Sequence, residues 1–102
     1  MKPDHLYIIQ CGENGPLKIG ISANVEKRLR GLQSANPYPL RLVHSVRVGV
    51  ERAALLEQEF HRWFAPYRLT GEWFLPSEPV LRFVDVATAP DHMAAFGCEE
   101  AA

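Results

Sequence analysis

The sequence predicts a small α/β domain of the α+β type, with a short-stranded sheet flanked by helices. Two apolar runs, residues 6–11 and 17–22, flank a loop that contains Asn14-Gly15, and a helical period follows the second run. This arrangement is typical of a β-hairpin, because an Asn-Gly pair readily adopts the positive φ angles of a tight turn. A chain of 102 residues is long enough for one hydrophobic core. We therefore expect one domain over residues 1–88, in the order β-β-α-β-α followed by a short strand and helix.

The predicted hairpin places a tyrosine and a lysine on one face of the sheet. Strand alternation puts Lys18 and Gly20 on the face opposite Ile19. If the hairpin is symmetric about its turn, Tyr7 lies opposite Gly20 and diagonal to Lys18, and Gly20 leaves room over the phenol. Singly, such a tyrosine or lysine is usually a packing or solvated residue, so their joint spacing is what indicates a site.

The first helix adds an arginine to the same face. Asn24 is a suitable N-cap for a helix through residue 33. The apolar stripe of this helix is Val25, Leu29 and Leu32. Arg28 falls beside that stripe and leans over the sheet, whereas Lys27 and Arg30 point further toward solvent, where we expect them to bind substrate. A phenol, an ammonium and a guanidinium would then meet at a site suited to a phosphate.

The rest of the chain predicts one more long strand and two helices. Prolines end the first helix, and residues 40–48 are expected to form the third strand. A second helix over residues 50–64 has the apolar stripe Ala53, Leu56, Phe60, Trp63 and Phe64. Residues 71–74 are expected to form a short strand or plug, and residues 80–86 a capping helix that begins near Ser77-Glu78-Pro79. Residues 89–102 are interpreted as a flexible acidic tail.

The second helix also offers groups for a divalent cation. Glu57 lies at the edge of its stripe and His61 one turn later, so both can project from one side. Ordinary surface helices present such pairs as well, but a carboxylate on a core-packed helix is held rigidly enough to position a cation near a phosphate. Glu72 is a further polar candidate or a turn residue.

Composition and charge narrow the function classes. The net charge of −1 lacks the basic excess of a dedicated nucleic-acid binder, yet residues 1–68 hold ten Lys/Arg against six Asp/Glu, while residues 69–102 hold one against six. A solvated surface with an acidic tail explains the same uneven distribution of charge.

Cys11 and Cys98 do not show the spacing of zinc ligands. Without an apolar run of ~20 residues or a signal peptide, we expect a cytoplasmic protein.

Five features, taken in order, resemble the GIY-YIG nuclease superfamily: Leu6-Tyr7-Ile8, Lys18-Ile19-Gly20, Arg28-Leu29, Glu57 and Pro66. The pattern KIGIS…EKRLRGLQ…GEWF is similar to the phage and bacterial branch, in which lysine replaces the tyrosine of the second motif. The resemblance covers residues 5–75 or so. The asparagine that often follows the glutamate in this superfamily is absent, and Arg68-Leu69-Thr70 stand in its place.

The resemblance implies a three-stranded antiparallel sheet flanked by helices, and phosphodiester hydrolysis with one divalent cation, Mg²⁺ or Mn²⁺. It implies that Tyr7 is the tyrosine of the first motif, Arg28 the catalytic arginine and Glu57 the metal ligand. Lys18 takes the place of the second tyrosine, and Glu72 resembles a feature of the lysine-bearing branch. The implied partner is DNA, contacted through its phosphates, with a partner protein or homodimer for targeting and no membrane.

These residues support a hypothesis of hydrolysis by an in-line water. Tyr7 would accept the proton of the water, with Lys18 and Arg28 favouring the phenolate, while His61 shuttles a proton or positions water. Two alternatives stay open. The modest charge and the missing asparagine suit a catalytically silent nucleic-acid-binding module, and an aromatic patch would suit a protein-interaction domain. The sequence leaves open the target preference, DNA against RNA, the oligomeric state and the biological pathway.

Overall fold

The computed structural model describes residues 1–88 and has one five-stranded sheet with helices on both faces. The strands are β1 (His5–Cys11), β2 (Leu17–Ser22), β3 (Leu40–Arg47), β4 (Arg68–Thr70) and β5 (Trp73–Phe74). The helices are α1 (Val25–Ser34), α2 (Val50–Trp63) and α3 (Glu78–Thr88), and a 3₁₀ turn, Ala65–Tyr67, precedes β4. The strands lie in the order β3-β1-β2-β5-β4, and every neighbouring pair is antiparallel. The predicted tail, residues 89–102, lies outside the described residues.

The predicted number of strands is wrong, because the sheet has five strands where three were expected. The two additional strands, β4 and β5, contain three and two residues. Strands this short show no apolar alternation, and the residue pattern predicted only a short extended segment near residues 71–74. In the structure, β5 extends the sheet beyond β2 through the pairs Leu17↔Phe74 and Lys18↔Trp73.

The β1–β2 hairpin has the predicted register but not the predicted turn. Tyr7 lies opposite Gly20 and Ile9 opposite Lys18, as the symmetric pairing requires. The positive φ angle falls at Gly12, however, and not at Asn14-Gly15. Gly15 instead brings its backbone N–H to the carbonyl of Cys11, at 3.0 Å, and a Cβ at Gly15 would lie 2.3 Å from that carbonyl oxygen. Gly15 is therefore needed for the close approach of the backbone. The turn differs from the prediction because the loop is longer than a two-residue turn.

The alternation of β1 and β2 divides the core into two clusters. On one face, α2 and α3 cover Leu6, Ile8, Leu17 and Ile19 with Phe60, Phe64, Val80 and Val84. On the other face, α1 covers Tyr7 and Ile9 with Val25, Leu29 and Leu32. Among residues 1–88 no helix is long and apolar enough to cross a membrane.

The ends and faces of the helices follow from local chemistry, with one correction. The side chain of Asn24 accepts a hydrogen bond from the Lys27 backbone N–H, so the predicted N-cap of α1 is confirmed. The stripe of α2 buries Ala53, Phe60 and Phe64, but Trp63 is 50% exposed. Trp63 is the last residue of α2, and its rotation about the helix axis carries it away from the sheet.

We predict that the core under α2 dominates stability. The Phe60 side chain is fully buried and makes edge contact with the Phe83 ring at a centroid distance of 5.0 Å. Phe60→Ala should lower the free energy of unfolding by about 3–5 kcal/mol, measured by urea denaturation. Leu55→Ala, at a 61% exposed position of the same helix, should change it by no more than about 0.5 kcal/mol. Equal losses in the two variants would contradict this account of the core.

Candidate functional site

The candidate site lies where the edge of β2 emerges beyond β5. Within β2, Leu17 and Lys18 are the residues that pair with β5. The next contact along this edge is the Ile19 N–H donating to the Glu72 carbonyl at 3.3 Å. The turn between β4 and β5 therefore stands beside Gly20. Polar groups from both sides of the sheet meet there, because the sheet no longer separates them.

Tyr7 is packed against a glycine and hydrogen-bonded to an arginine. Its side chain is fully buried, and the Arg28 Nε donates to its hydroxyl at 3.4 Å. A Cβ at Gly20 would lie 2.7 Å from the Tyr7 hydroxyl oxygen and 2.8 Å from the Glu72 Oε1. Glycine at this position therefore lets a phenol and a carboxylate approach the same point on the strand.

The ammonium of Lys18 is buried and paired with a carboxylate. Lys18 is only 6% exposed, and its Nζ lies 3.2 Å from the Glu72 Oε1. The same Nζ lies 5.6 Å from the centroid of the Trp73 ring, within the range of a cation–π contact. A buried charge needs such partners, since its desolvation is costly.

Glu57 and Glu72 form a carboxylate pair whose pKa values move apart. Burial and the hydrogen bond with Glu72 raise the pKa of the Glu57 carboxyl. Burial alone would raise the pKa of the Glu72 carboxyl too, but the Glu57 hydrogen bond and the Lys18 ammonium outweigh it, so that pKa falls below its usual value. Glu57 thus retains its proton more readily than Glu72, which is how two adjacent carboxyls avoid two like charges.

His61 is held in one tautomer by an arginine. The Nδ1 of His61 lies 3.2 Å from the Arg68 Nη1, and its Nε2 lies 3.8 Å from the Glu72 Oε2. A guanidinium only donates hydrogen bonds, so Nδ1 accepts this one and the ring proton resides on Nε2. His61 therefore directs an N–H toward the carboxylate pair.

These groups surround an open cavity of about 490 Å³ that is lined by Glu57, Gln58, His61 and Glu72. One ligand atom each from Glu57, His61 and Glu72 lies within 4.8 Å of the others. Carboxylate oxygens are donors that suit Mg²⁺ and Mn²⁺, whereas an imidazole suits transition metals such as Zn²⁺. The Nδ1 of His61 accepts from Arg68 and its Nε2 carries the proton, so His61 would have to change tautomer to bind a cation. The carboxylate oxygens of Glu57 and Glu72 need no such change.

The structure brings together Tyr7, Lys18, Gly20, Arg28, Glu57, His61 and Glu72, all of which the sequence singled out. It does not bring Lys27 and Arg30 to the same point. Both are exposed on α1, and Lys27 lines a separate 300 Å³ depression beside Arg28. Their predicted role in binding substrate stays a prediction.

Sequence reasoning missed Arg68 and Trp73 as site residues and underrated Glu72. It also expected Lys18 and Arg28 to lower the pKa of Tyr7. In the structure, burial is the largest influence and raises the pKa of Tyr7, with only Arg28 opposing it. One signal in the sequence could have indicated Arg68: it stands next to the position where the superfamily often has an asparagine.

We predict that Gly20→Ala disrupts the site. The new Cβ would collide with both Tyr7 and Glu72, and overpacking of this kind costs about 1–3 kcal/mol of unfolding free energy. Gly31 lies in α1, where a Cβ would meet nothing within 4 Å, so Gly31→Ala should instead stabilise by up to about 1 kcal/mol. Urea denaturation of the two variants checks the difference. Stabilisation by Gly20→Ala would refute the tight contact.

We predict that Tyr7 ionises above the ordinary tyrosine pKa of 10.0. Because burial disfavours the phenolate in the folded state, Tyr7 lowers the free energy of unfolding as the pH rises beyond about 10. Tyrosinate absorbance of the folded protein checks this, since the chain has three tyrosines. Tyr7→Phe should remove an ionisation that lies above the ordinary tyrosine pKa. Loss of an ionisation at the ordinary tyrosine pKa in Tyr7→Phe would contradict the assignment.

Comparison with known proteins assigns the chain to a family. A search of curated proteins and a search of solved structures each found no significant match. The T5orf172 domain, which is associated with nuclease-like proteins of phages and bacteria, matches residues 4–88. That range contains every described strand and helix and all the site residues. The chain therefore belongs to the T5orf172 domain family, whose functions are related to nucleic acids.

Proposed function

We propose that the protein is a metal-dependent DNA endonuclease that hydrolyses phosphodiester bonds with one divalent cation. The observation that carries this proposal is the convergence of Tyr7, Lys18 and Arg28 with the carboxylates Glu57 and Glu72 at one sheet edge. The family match supports a nuclease-like role, and the resemblance of the motifs to GIY-YIG nucleases supports this reaction.

The carboxylate pair is the proposed cation site. Glu57 and Glu72 would hold Mg²⁺ or Mn²⁺, and the cation, when bound, would supply Lewis-acid stabilisation of charge on the phosphate oxygens. His61 would donate its Nε2–H to a water or carboxylate oxygen, which is a positioning role. Because the pKa of the Glu57 carboxyl is raised, protons would compete with the cation for this ligand, so affinity should fall as the solution is acidified.

The cationic side chains are the proposed phosphate contacts. Arg28 uses its Nε on Tyr7, which leaves its terminal N–H groups for a phosphate oxygen. Lys18 presents a point charge next to the carboxylate pair, where it would offset the negative charge of the phosphate. Both contacts would strengthen as negative charge develops on the phosphate oxygens in the transition state.

Tyr7 is the proposed proton acceptor for the attacking water. Its hydroxyl is fixed between Gly20 and Arg28, so it has a single position relative to the phosphate site. Burial raises its pKa, and the neighbouring guanidinium is the group that lowers it. The phenol must first lose its own proton to solvent, and the resulting phenolate would then accept a proton from the attacking water. Positive charge gathered around the hydroxyl would favour that phenolate, which restricts hydrolysis to the assembled complex.

We predict metal-dependent cleavage of supercoiled plasmid that requires Glu57. Purified protein with Mg²⁺ or Mn²⁺ should nick or linearise the plasmid, and EDTA should abolish this activity. Glu57→Gln should reduce the rate at least about 100-fold, because it removes a charged cation ligand while keeping the shape of the side chain. Gel electrophoresis of the plasmid over time measures the rate.

Glu59→Gln is the matched control on the same helix. Glu59 pairs with Arg62 at the surface, at 2.6 Å, and such a pair contributes little to stability. This variant should cleave like the parent. Equal cleavage by Glu57→Gln and the parent would refute the assignment of Glu57. If the protein binds DNA in a salt-sensitive way but does not cleave it with any divalent cation, the nuclease assignment is wrong and the protein is a nucleic-acid-binding module.

A further inference from the structure

A second cavity adjoins the candidate site on the side of the β1–β2 loop. It has a volume of about 220 Å³ and is lined by Cys11, Pro16, Asn36, Leu69, Thr70 and Trp73. Apart from Trp73, which contacts the Lys18 ammonium, these residues have no role in the proposed hydrolysis. The lining combines an indole ring and aliphatic side chains with the hydroxyl of Thr70 and the carboxamide of Asn36.

Trp73 connects this cavity to the phosphate contacts. Its indole lines the cavity, is partly exposed, and lies 5.6 Å from the Lys18 ammonium. Trp73 pairs with Lys18 across β5 and β2, so their side chains rise from the same face of the sheet. The spacing of the two side chains is thus fixed by the backbone pairing.

The chemistry of the cavity fits a nucleobase. Drug-sized ligands occupy pockets of about 300–1,000 Å³, so a smaller cavity with an indole wall suits one flat ring system. Proteins that bind single strands place aromatic side chains, on which bases stack, beside cations that follow the phosphates. Trp73 and Lys18 reproduce that pairing. Thr70 and Asn36 are polar residues of the lining. The Asn36 Oδ1 already accepts a hydrogen bond from the Tyr38 backbone N–H at 2.9 Å, so the Asn36 side-chain N–H groups and the Thr70 hydroxyl are the groups that can meet the edge of a base.

We propose that this cavity binds an unpaired nucleobase stacked on Trp73, next to the phosphate held by Lys18. A base within a duplex exposes only its edges in the grooves, so an indole platform can accept only a base that has left the stack. The preferred substrate is then DNA with unpaired nucleotides at the cleavage point: a single strand, a flap or a loop. This inference rests on the proposed function, because that function supplies the phosphate contact at Lys18.

The test uses Trp73 fluorescence in EDTA, so that binding is measured without cleavage. The chain has two tryptophans, and Trp63→Phe, at an exposed position outside the site, makes Trp73 the only one. A thymidine oligonucleotide should quench this fluorescence, whereas a blunt duplex of the same length should not. An oligonucleotide with abasic sites in place of the bases should bind about 5- to 150-fold more weakly.

Variants of the platform give a second measurement. Trp73→Leu, assayed by anisotropy of a labelled oligonucleotide, should lose single-strand affinity by about the same factor and keep the duplex affinity of the parent. Trp73→Phe should recover most of the loss. The dependence of affinity on salt should be unchanged in both, because the phosphate contacts remain.

Two results would overturn the proposal: equal affinity for natural and abasic single strands, or equal quenching by single strand and duplex. The abasic comparison uses a protein with intact Trp73, so it decides the question even if Trp73→Leu fails to fold. Failure of the proposed nuclease is seen separately, as absence of cleavage with Mg²⁺ or Mn²⁺ while quenching by single strands persists.

Discussion

The burial of the Lys18 ammonium is the constraint on which the rest of the site depends. A charge that is 6% exposed must have a partner, and removal of one partner from a buried pair costs about 3–5 kcal/mol. Glu72 provides that partner at 3.2 Å. Because Glu72 belongs to the turn between β4 and β5, the pair fixes this small hairpin against β2. The same pairing brings Trp73 over the lysine.

The short length of β5 makes room for the chemistry. If β5 continued along β2, its backbone would occupy the space beside Gly20, and α2 could not bring Glu57 to Glu72 around the edge. With β5 ending at Lys18, carboxylates from a helix on one face meet a phenol and a guanidinium from the other. The sheet therefore supplies a rigid frame, and its interrupted edge supplies the opening, which is the usual division between scaffold and site.

The parts of the site that sequence reasoning located are those set by local geometry. Tyr7, Gly20 and Arg28 belong to a hairpin and the helix that follows it, where register and helical periodicity fix their relation. Trp73 and Arg68 belong to strands of two and three residues that show no period, and they reach the site only through long-range pairing. The raised pKa of Tyr7 was missed for a related reason, since burial is a property of the assembled fold.

The local charge of the site also explains why the net charge of −1 is a poor guide to function. Lys18, Arg28 and Arg68 stand against the carboxyls of Glu57 and Glu72, and the pKa of Glu57 is raised. By formal charge, three cations stand against two carboxylates, so the site has a local excess of one positive charge in a chain of net charge −1. An anion responds to the electric field at the point where it binds. Salt screens charges that lie more than about 10 Å away, so nearby charges dominate that field. A divalent cation between the two carboxylates would add to this field, so cation and phosphate would favour one another's binding.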